Sequence, residues 1–364
     1  MKITIIILSF LATLAIVALL ILQHPSFGCR QSKEHKARIL ASPNYKKGSF
    51  QNQVPTPQFT GKTNMLSAMW GMLTDTDSDR IPKDSLPATK TDLTTLPKDT
   101  DLLVWFGHSS YLIQLGGKRF LVDPVLTCEF PASLMLKPFK GTDIYHPCDI
   151  PEIDYLIITH EHWDHLDYGT LRDLRPKIKN AVCPLGIAQY LEYWGYDKDI
   201  ITEMDWYEVE ILKQVSSHRQ AVRDEDAVRI TCLPSRHFSN RLLSRNQTLW
   251  ASFMVETGGR RVYIGGDGGY DSRFKQIKEQ FGTIDLAFLE NGQYNENWKY
   301  IHTTPEDLVK VIEDLSAEQV FTVHHDKFAL ARHSWYEPDN TAHKIAQELG
   351  IKLLDKPIGT VVRF

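Results

Sequence analysis

The chain has few cysteines, and their spacing excludes the small disulfide-rich and zinc-ribbon classes of protein. Five occur among 364 residues, an odd number without a CxxC pair: Cys29, Cys128, Cys148, Cys183 and Cys232. A disulfide framework or a structural zinc ribbon would show paired, closely spaced cysteines. We therefore expect free thiols that are buried or half-buried as small apolar side chains.

Negative charge outnumbers positive charge over most of the chain. The formal net charge is −4, and residues 1–50 hold seven Lys or Arg against a single acid, so the remainder carries −10. Binding to a nucleic-acid backbone usually requires a basic face. The charge balance therefore argues against nucleic acid as a partner and against a general nuclease.

Long apolar runs are absent except at the amino terminus, where residues 3–22 contain no charge and only Thr and Ser as polar members. Twenty helical residues at about 1.5 Å each are enough to cross roughly 30 Å of hydrocarbon. A cleaved signal peptide has a shorter apolar core and a small-x-small site, whereas His24-Pro25-Ser26-Phe27 follows here. A lipid anchor at Cys29 would need an aliphatic residue that the preceding segment lacks. Residues 1–24 are thus predicted to form a single-pass membrane anchor, ahead of these two alternatives.

The side of the membrane follows from the flanking charges. Four basic residues between Arg30 and Arg38 outnumber the amino terminus plus Lys2. By the positive-inside tendency this slightly favours a cytoplasmic location for the residues that follow the anchor.

The rest of the chain changes character near residue 100. Residues 45–100 are rich in Pro, Thr, Asp and Lys, with one apolar piece at 65–73. Residues 25–100 are predicted to form an extended connector carrying an amphipathic segment. Beyond it, short apolar runs bounded by turn residues alternate with helical patterns. The predicted strands are 102–106, 111–115, 118–123, 155–159, 228–233, 252–257, 261–265, 285–290 and 319–324, and the predicted helices are 186–194, 272–281, 305–315 and 340–349. This alternation indicates one α/β domain over residues 101–364.

Four potential metal ligands lie within six residues directly after the predicted strand 155–159. The run is His160-Glu161-His162-Trp163-Asp164-His165. Imidazole and carboxylate groups are rarely found beside a buried strand unless they are paired or bind a metal. Alternation along the loop lets His160 and His162 face one ion while Asp164 and His165 face a second, and these donors suit zinc.

The order His-x-His-x-Asp-His after a strand resembles the signature of the metallo-β-lactamase superfamily. The longer stretch 159–168 is similar to the branch that contains N-acyl-phosphatidylethanolamine-hydrolysing phospholipase D. Further matching motifs follow in the same order along the chain: Trp105-Phe106-Gly107-His108-Ser109, Asp123-Pro124, Pro184-Leu185-Gly186, Asp205-Trp206, Pro234-Ser235-Arg236-His237-Phe238, Gly266-Asp267-Gly268-Gly269-Tyr270, Pro305-Glu306 and residues 324–330. The resemblance runs from about residue 25 to the carboxyl end and implies a four-layer αββα sandwich.

The resemblance also implies a ligand set for two zinc ions per chain. It assigns His160, His162 and His237 to the first ion, Asp164, His165 and His324 to the second, and Asp267 to both. It further implies that His302 polarises the substrate or protonates a leaving group, and that His325 is a neighbour rather than a ligand. His108 and Asp123 are expected to orient ligands.

Two departures from the family pattern leave the substrate open. Relatives often have Thr at the position of Gly268 and an Ile-Pro-Ile-Gly-Ala-Tyr type of sequence where this chain has residues 289–294, Leu-Glu-Asn-Gly-Gln-Tyr. The ligand set survives both changes. The loop after Leu289 should border the pocket and thereby affect which substrate fits.

The function implied by the resemblance is a membrane-anchored di-zinc phosphodiesterase that cleaves N-acyl-phosphatidylethanolamine or a related phospholipid through a hydroxide shared by the metals. A hydrolase of a soluble lactone or phosphodiester remains the main alternative, with Arg236, Arg241 and Arg245 as candidate phosphate ligands. A nuclease is disfavoured by charge. A non-catalytic, membrane-tethered metal-binding protein would have no need of all seven ligands. No residue pattern indicates an oligomeric state.

Overall fold

The helices follow from the sequence patterns and their capping residues. A computed structural model describes residues 2–29, 31–61, 63–74, 79–212, 227–241 and 244–364. In these ranges the helices are α1 (Lys2–Leu22), α2 (Lys33–Ala41), α3 (Met65–Thr74), α4 (Tyr168–Leu174), α5 (Ala188–Tyr193), α6 (Arg273–Phe281), α7 (Pro305–Leu315) and α8 (Glu337–Leu349). The start of α7 is an example of such capping. The Thr304 side chain accepts a hydrogen bond from Asp307 N, and Pro305 occupies the first turn.

The strands are short and mostly buried. Over the described residues they are β1 (Tyr45–Lys46), β2 (Ser49–Phe50), β3 (Leu102–Trp105), β4 (Tyr111–Leu115), β5 (Lys118–Val122), β6 (Tyr155–Ile157), β7 (Ala181–Pro184), β8 (Ile201–Met204), β9 (Val209–Leu212), β10 (Val228–Pro234), β11 (Asn240–Arg241), β12 (Ser244–Arg245), β13 (Ala251–Thr257), β14 (Arg260–Ile264), β15 (Leu286–Glu290), β16 (Gln319–Val323), β17 (Lys352–Leu353) and β18 (Val361–Arg363).

Two seven-stranded sheets form the body of the protein, in the orders β18-β3-β4-β5-β6-β7-β8 and β17-β16-β15-β14-β13-β10-β9. Strands β5 to β8 are parallel to one another, as are β14 to β17, and the other pairs in these sheets are antiparallel. Parallel neighbours bring their carboxyl ends to one edge of the sheet. Each sheet therefore offers an edge at which several loops meet.

Alternation along the strands divides the core into layers. Ile113 and Val255 contribute to the core between the two sheets, whereas their neighbours Leu112 and Met254 belong to the outer cores. Helices α4 and α5 cover the first sheet, and α6, α7 and α8 cover the second. Successive side chains of a strand point to opposite faces, so both sheets are buried on both sides. The predicted four-layer αββα sandwich is confirmed.

The predicted strands from 102 onwards are present, but several end earlier than the sequence suggested. The strand predicted at 155–159 ends at Ile157, and that predicted at 319–324 ends at Val323. His160 and His324 therefore lie in loops. Among the elements that the prediction omitted are α2, α4, β7, β8 and β9, which are short or mix polar with apolar residues.

The region predicted as a connector lies along the domain. Phe50 N donates to Asn246 O, Thr60 N to Asn297 O, and Thr89 N to Ile358 O. The apolar piece at 65–73 is α3. In contrast, residues 3–22 of α1 form a helix of mean hydropathy 3.1 with none of it buried.

Candidate metal centre

The run of predicted ligands lies in a short loop that is fixed at both ends. Strand β6 ends at Ile157, and α4 begins at Tyr168 with the Asp167 side chain accepting from Thr170 N. Within the loop, His165 N and Leu166 N both donate to His162 O. The turn brings side chains from both halves of the run to the same edge of the first sheet.

The remaining predicted ligands come from the second sheet. His237 follows β10, Asp267 follows β14 and His324 follows β16. All three are buried, with exposures of 0%, 4% and 1%. Tertiary structure thus joins three separate strand ends to the loop after β6.

The first group of donor atoms belongs to His160, His162, His237 and Asp267, which each offer one atom within 4.8 Å of the others. His162 Nδ1 lies 2.8 Å from His160 Nε2 and 3.2 Å from His237 Nε2. His160 Nε2 lies 3.8 Å from Asp267 Oδ2. The three histidines are the residues assigned to the first ion, and Asp267 is the residue assigned to both ions.

The second group contains Asp164, His165, His324 and also His108, again with donor atoms within 4.8 Å of one another. His108 Nε2 is 2.8 Å from Asp164 Oδ2. Asp267 extends towards this group too, because its Oδ2 lies 3.2 Å from His165 Nε2 and its Oδ1 lies 3.3 Å from His324 Nδ1. The structure therefore brings all seven predicted ligands together, and their roles as ligands stay a prediction.

Two unsatisfied atoms indicate that a cation fits between the groups. His165 Nε2 and Asp267 Oδ1 are buried without a hydrogen-bond partner among the described residues. Leaving such atoms unpaired costs about 1–3 kcal/mol each. Imidazole nitrogens and carboxylate oxygens converging in this way form the donor set that zinc and related metals prefer.

Four histidines of the cluster are in the neutral form that binds a metal, whereas neighbouring carboxylates, Asp267 first among them, raise the pKa of His165 well above the usual range. Burial and neighbouring imidazoles lower the pKa of His160, His237 and His324 well below the usual range, and burial lowers that of His162 to about 3. Neutral imidazoles keep a lone pair for a metal at neutral pH. Burial, with Glu290 nearby, raises the pKa of Asp267 to about 7. A cation would favour its charged form.

Supporting groups hold the histidines in place. Asp123 Oδ2 lies 2.8 Å from His165 Nδ1, and Ile301 O accepts a hydrogen bond from His237 Nδ1 at 2.7 Å. Ser109 Oγ lies 3.0 Å from His324 Nδ1. Such partners fix the ring orientation of metal-binding histidines.

Substituting Asp123 with asparagine should weaken the metal site that contains His165 by about 10–100-fold. Oδ2 of Asp123 accepts from both Thr159 Oγ1 and His165 Nδ1, so an amide NH2 there would face two donors. Metal affinity is measured by competition with a chelator. The exposed carboxylate Asp173 gives the control variant Asp173→Asn, which should bind metal like the unaltered chain. Equal affinities for all three proteins would contradict the supporting role.

The backbone around the site is strained. His108, Asp123, Gln293, His324 and Asp326 have φ values of 54°, 39°, 55°, 75° and 60°. Non-glycine residues in this region cost about 1–3 kcal/mol each and concentrate at functional sites. The surrounding hydrogen bonds therefore stabilise a conformation that the site requires.

His302 meets a carboxylate that sequence reasoning missed. His302 Nδ1 hydrogen-bonds to Glu290, and its ring stacks on His324 with centroids 5.4 Å apart. Burial alone would lower the pKa of His302, but Glu290 raises it above the usual value. Glu290 also accepts from Gly268 N at 2.7 Å. The available signal was its position in the divergent residues 289–294, at the end of β15.

A cavity of about 210 Å³ opens above the donor groups. Its polar floor includes His162, Asp164, Asp267, His302 and His324, and its other lining residues are Gln58, Phe59, Phe238, Gln293, Trp298, Ile301 and Leu330. The supposed connector thus contributes two residues to the walls. A polar floor below a largely apolar rim suits a substrate with a charged group and apolar parts.

The suggested phosphate-binding arginines do not line this cavity. Arg236 donates to Thr56 Oγ1 and Tyr270 O, and Arg241 donates to Ser26 O and Glu161 O. Their role as phosphate ligands was a wrong prediction, because both guanidinium groups bind within the protein. Arg245 is exposed, with its guanidinium 5.7 Å from the ring centroid of Phe238.

The two packed sheets and the His and Asp clusters in the loops at their edges are typical of a metal-dependent hydrolase. The chain belongs to the β-lactamase superfamily, because a family profile described as "Beta-lactamase superfamily domain" matches residues 118–325. This confirms the resemblance seen in the motifs.

Relatives extend over most of the chain. An uncharacterized protein of Mycobacterium tuberculosis is 34% identical over 307 residues, covering 82% of this chain and 78% of the relative. The "N-acyl-phosphatidylethanolamine-hydrolyzing phospholipase D 1" of Caenorhabditis elegans is 28% identical over 309 residues, covering 79% and 83%. Among solved structures, the diiron β-hydroxylase CmlA from Streptomyces venezuelae superposes with a TM-score of 0.54 at 18% identity, over 73% of this chain and 54% of that one. That last likeness concerns the fold alone.

Proposed function

We propose that the protein is a membrane-anchored di-zinc phosphodiesterase that hydrolyses N-acyl-phosphatidylethanolamine or a related phospholipid. The observation that carries the proposal is the two donor groups beneath a cavity with an apolar rim, with Asp267 in the first group and within 3.2 and 3.3 Å of His165 and His324 of the second. The relative from Caenorhabditis elegans, whose name states this activity, supports the substrate class.

Seven residues would hold the two zinc ions, and His302 would act as a proton donor. His160, His162 and His237 would hold one zinc ion, Asp164, His165 and His324 the other, with Asp267 shared between them. Bound zinc would supply an acidified water and neutralise charge on the phosphoryl oxygens. His302, held by Glu290, stands at the cavity floor, where its imidazolium would donate a proton to the leaving oxygen.

The size of the cavity supports a substrate that stays partly in the membrane. At about 210 Å³ it is smaller than the roughly 300–1,000 Å³ pockets that enclose drug-sized ligands. The phosphodiester would enter it, while Phe59, Phe238 and Trp298 would contact the adjoining apolar part of the lipid. The acyl chains would remain outside.

An exposed apolar surface lies beside the anchor helix. Phe130, Leu134 and Met135 have exposures of 43%, 69% and 69%. Phe130 shares a groove with Val17, Leu20 and Ile21 of α1. Surface patches of this kind mark contacts with membranes or partners. They support an uncleaved anchor with the catalytic domain against the bilayer, on the cytoplasmic side if the flanking basic residues set the orientation.

Full-length protein in vesicles should release phosphatidic acid from N-acyl-phosphatidylethanolamine, with ordinary phosphatidylethanolamine offered as the second lipid. A tether raises the local concentration of a membrane substrate and gives no such advantage for a soluble one. Products are identified by mass spectrometry, with bis(p-nitrophenyl) phosphate as the soluble comparison and the Asp267→Ala protein as the inactive control. Rapid turnover of the soluble ester without phosphatidic acid from either lipid would place the function in the small-metabolite class.

A further inference from the structure

The chain directly after the anchor helix packs behind the proposed metal loop. Helix α1 ends at Leu22, and after two residues a single turn covers Pro25–Phe27. We call residues 25–28 the juxtamembrane turn. The Phe27 ring meets the Trp163 ring edge-on with centroids 5.2 Å apart, and Trp194 Nε1 donates to Pro25 O at 2.9 Å. This turn is therefore part of the domain surface behind the loop.

Arg241 ties the juxtamembrane turn to that loop. Its side chain is buried, its Nε donates to Ser26 O at 2.6 Å, and its Nη1 donates to Glu161 O at 2.7 Å. The guanidinium lies 3.9 Å from the centroid of the Trp163 ring. A planar fork that donates to two carbonyls while stacking on an aromatic ring is a task specific to arginine.

Glu161 and Trp163 alternate with the proposed ligands along the chain. The Glu161 side chain is fully buried and accepts from Tyr190 Oη at 2.7 Å. Since Arg241 also binds the Glu161 carbonyl, the peptide that precedes His162 is held from two directions. The contacts of the intervening residues thus set the direction of the ligand side chains.

We propose that the juxtamembrane turn and Arg241 form a clamp that positions the loop carrying His160, His162 and Asp164. The inference rests on the proposed metal centre and makes Arg241 a positioning residue. Because only Gln23 and His24 separate the clamp from α1, the metal centre stays within a short reach of the end of the anchor. The enzyme would therefore act on the bilayer in which it is itself inserted.

Gly28 allows the clamp to be disturbed without touching any ligand. Its φ is +80°, and an added Cβ would overlap the buried ring of Tyr190. Gly48 offers a matched control, because its φ is +81° and an added Cβ would meet nothing within 4 Å. Gly28→Ala and Gly48→Ala both place an alanine at positive φ, so Gly48→Ala controls for the cost of that φ, and the overlap with Tyr190 is specific to Gly28→Ala.

Full-length variants in detergent micelles are titrated with Co²⁺, whose visible absorption bands report the geometry of its ligands. We expect Gly28→Ala to shift these bands and to lower Co²⁺ affinity about 10-fold or more, as loss of outer supporting groups does. Gly48→Ala should match the unaltered chain. Arg241→Met should resemble Gly28→Ala, and Arg241→Lys should recover only part of the affinity, since lysine lacks the fork.

The outcomes separate this inference from the proposed function. Unchanged bands and affinity in Gly28→Ala would overturn the clamp, even in an enzyme that hydrolyses phospholipids. If the unaltered chain binds Co²⁺ but cleaves no lipid, the substrate proposal fails while the spectra still decide on the clamp. Failure of the unaltered chain to bind Co²⁺ would overturn both. Gly28→Ala carries the test if Arg241→Met does not fold.

Discussion

Replacing Asp267 with alanine should remove metal from both groups of ligands and lower hydrolysis about a thousand-fold. The Asp267 carboxylate reaches into both groups, with Oδ2 3.2 Å from His165 Nε2 and 3.8 Å from His237 Nε2. Metals at such sites supply several kcal/mol of charge stabilisation, and each 1.36 kcal/mol is a factor of ten in rate. Elemental analysis measures zinc per chain, which we expect to be about two in the unaltered protein.

Comparison with His237→Ala tests whether Asp267 is a ligand of both metal ions. His237 belongs to the first donor group alone, so its loss should deplete mainly one metal. Asp173→Ala is a suitable control, because this exposed carboxylate pairs with Arg172 at the surface, outside the donor groups. Full metal content and activity in Asp267→Ala would show that the bridging assignment is wrong. Fewer than one metal per chain in the unaltered protein would contradict the di-zinc proposal.

The ligands that could be predicted from sequence are those that lie close together along the chain. His160, His162, Asp164 and His165 stand in one loop, and so many donors directly after a buried strand would be costly to bury without a metal. His237, Asp267 and His324 carried little signal by themselves. Only their order in the family pattern assigned them, because the sheet that unites their strand ends forms through long-range pairing.

Two residues show what sequence reasoning could not reach. In the sequence, Glu290 looks like any acidic residue at the end of a strand. In the fold, β15 lies beside β14, and Glu290 therefore contacts Gly268 and His302. Arg241 looked like a phosphate ligand. It is buried, and one of the groups to which it donates is Ser26 O, 215 positions away along the chain. Short strands such as β7 and β8 were missed because strand patterns of four residues are weak and their pairing partners stabilise them.

Removing His302 should lower hydrolysis about 10²–10⁴-fold for a substrate with a poor leaving group and far less for a p-nitrophenyl ester. An alkoxide leaving group needs a proton, whereas p-nitrophenolate leaves without one. His302→Ala is therefore compared on N-acyl-phosphatidylethanolamine and on bis(p-nitrophenyl) phosphate. Glu313→Gln, which alters an exposed residue of α7, is the control for general effects on the region.

The Glu290→Gln variant tests how the acid is kept protonated. Burial lowers the pKa of His302, and the Glu290 carboxylate more than offsets this, so the imidazolium persists to higher pH than usual. An acid catalyst is lost as pH rises through its pKa, and removing Glu290 should move this alkaline loss of kcat/KM to lower pH. Because Glu290 also accepts from Gly268 N, some loss of rate at all pH values should accompany the shift.

If His302→Ala slowed both esters equally, His302 would act on the phosphoryl oxygen that both share, and the assignment as acid for the leaving group would be wrong.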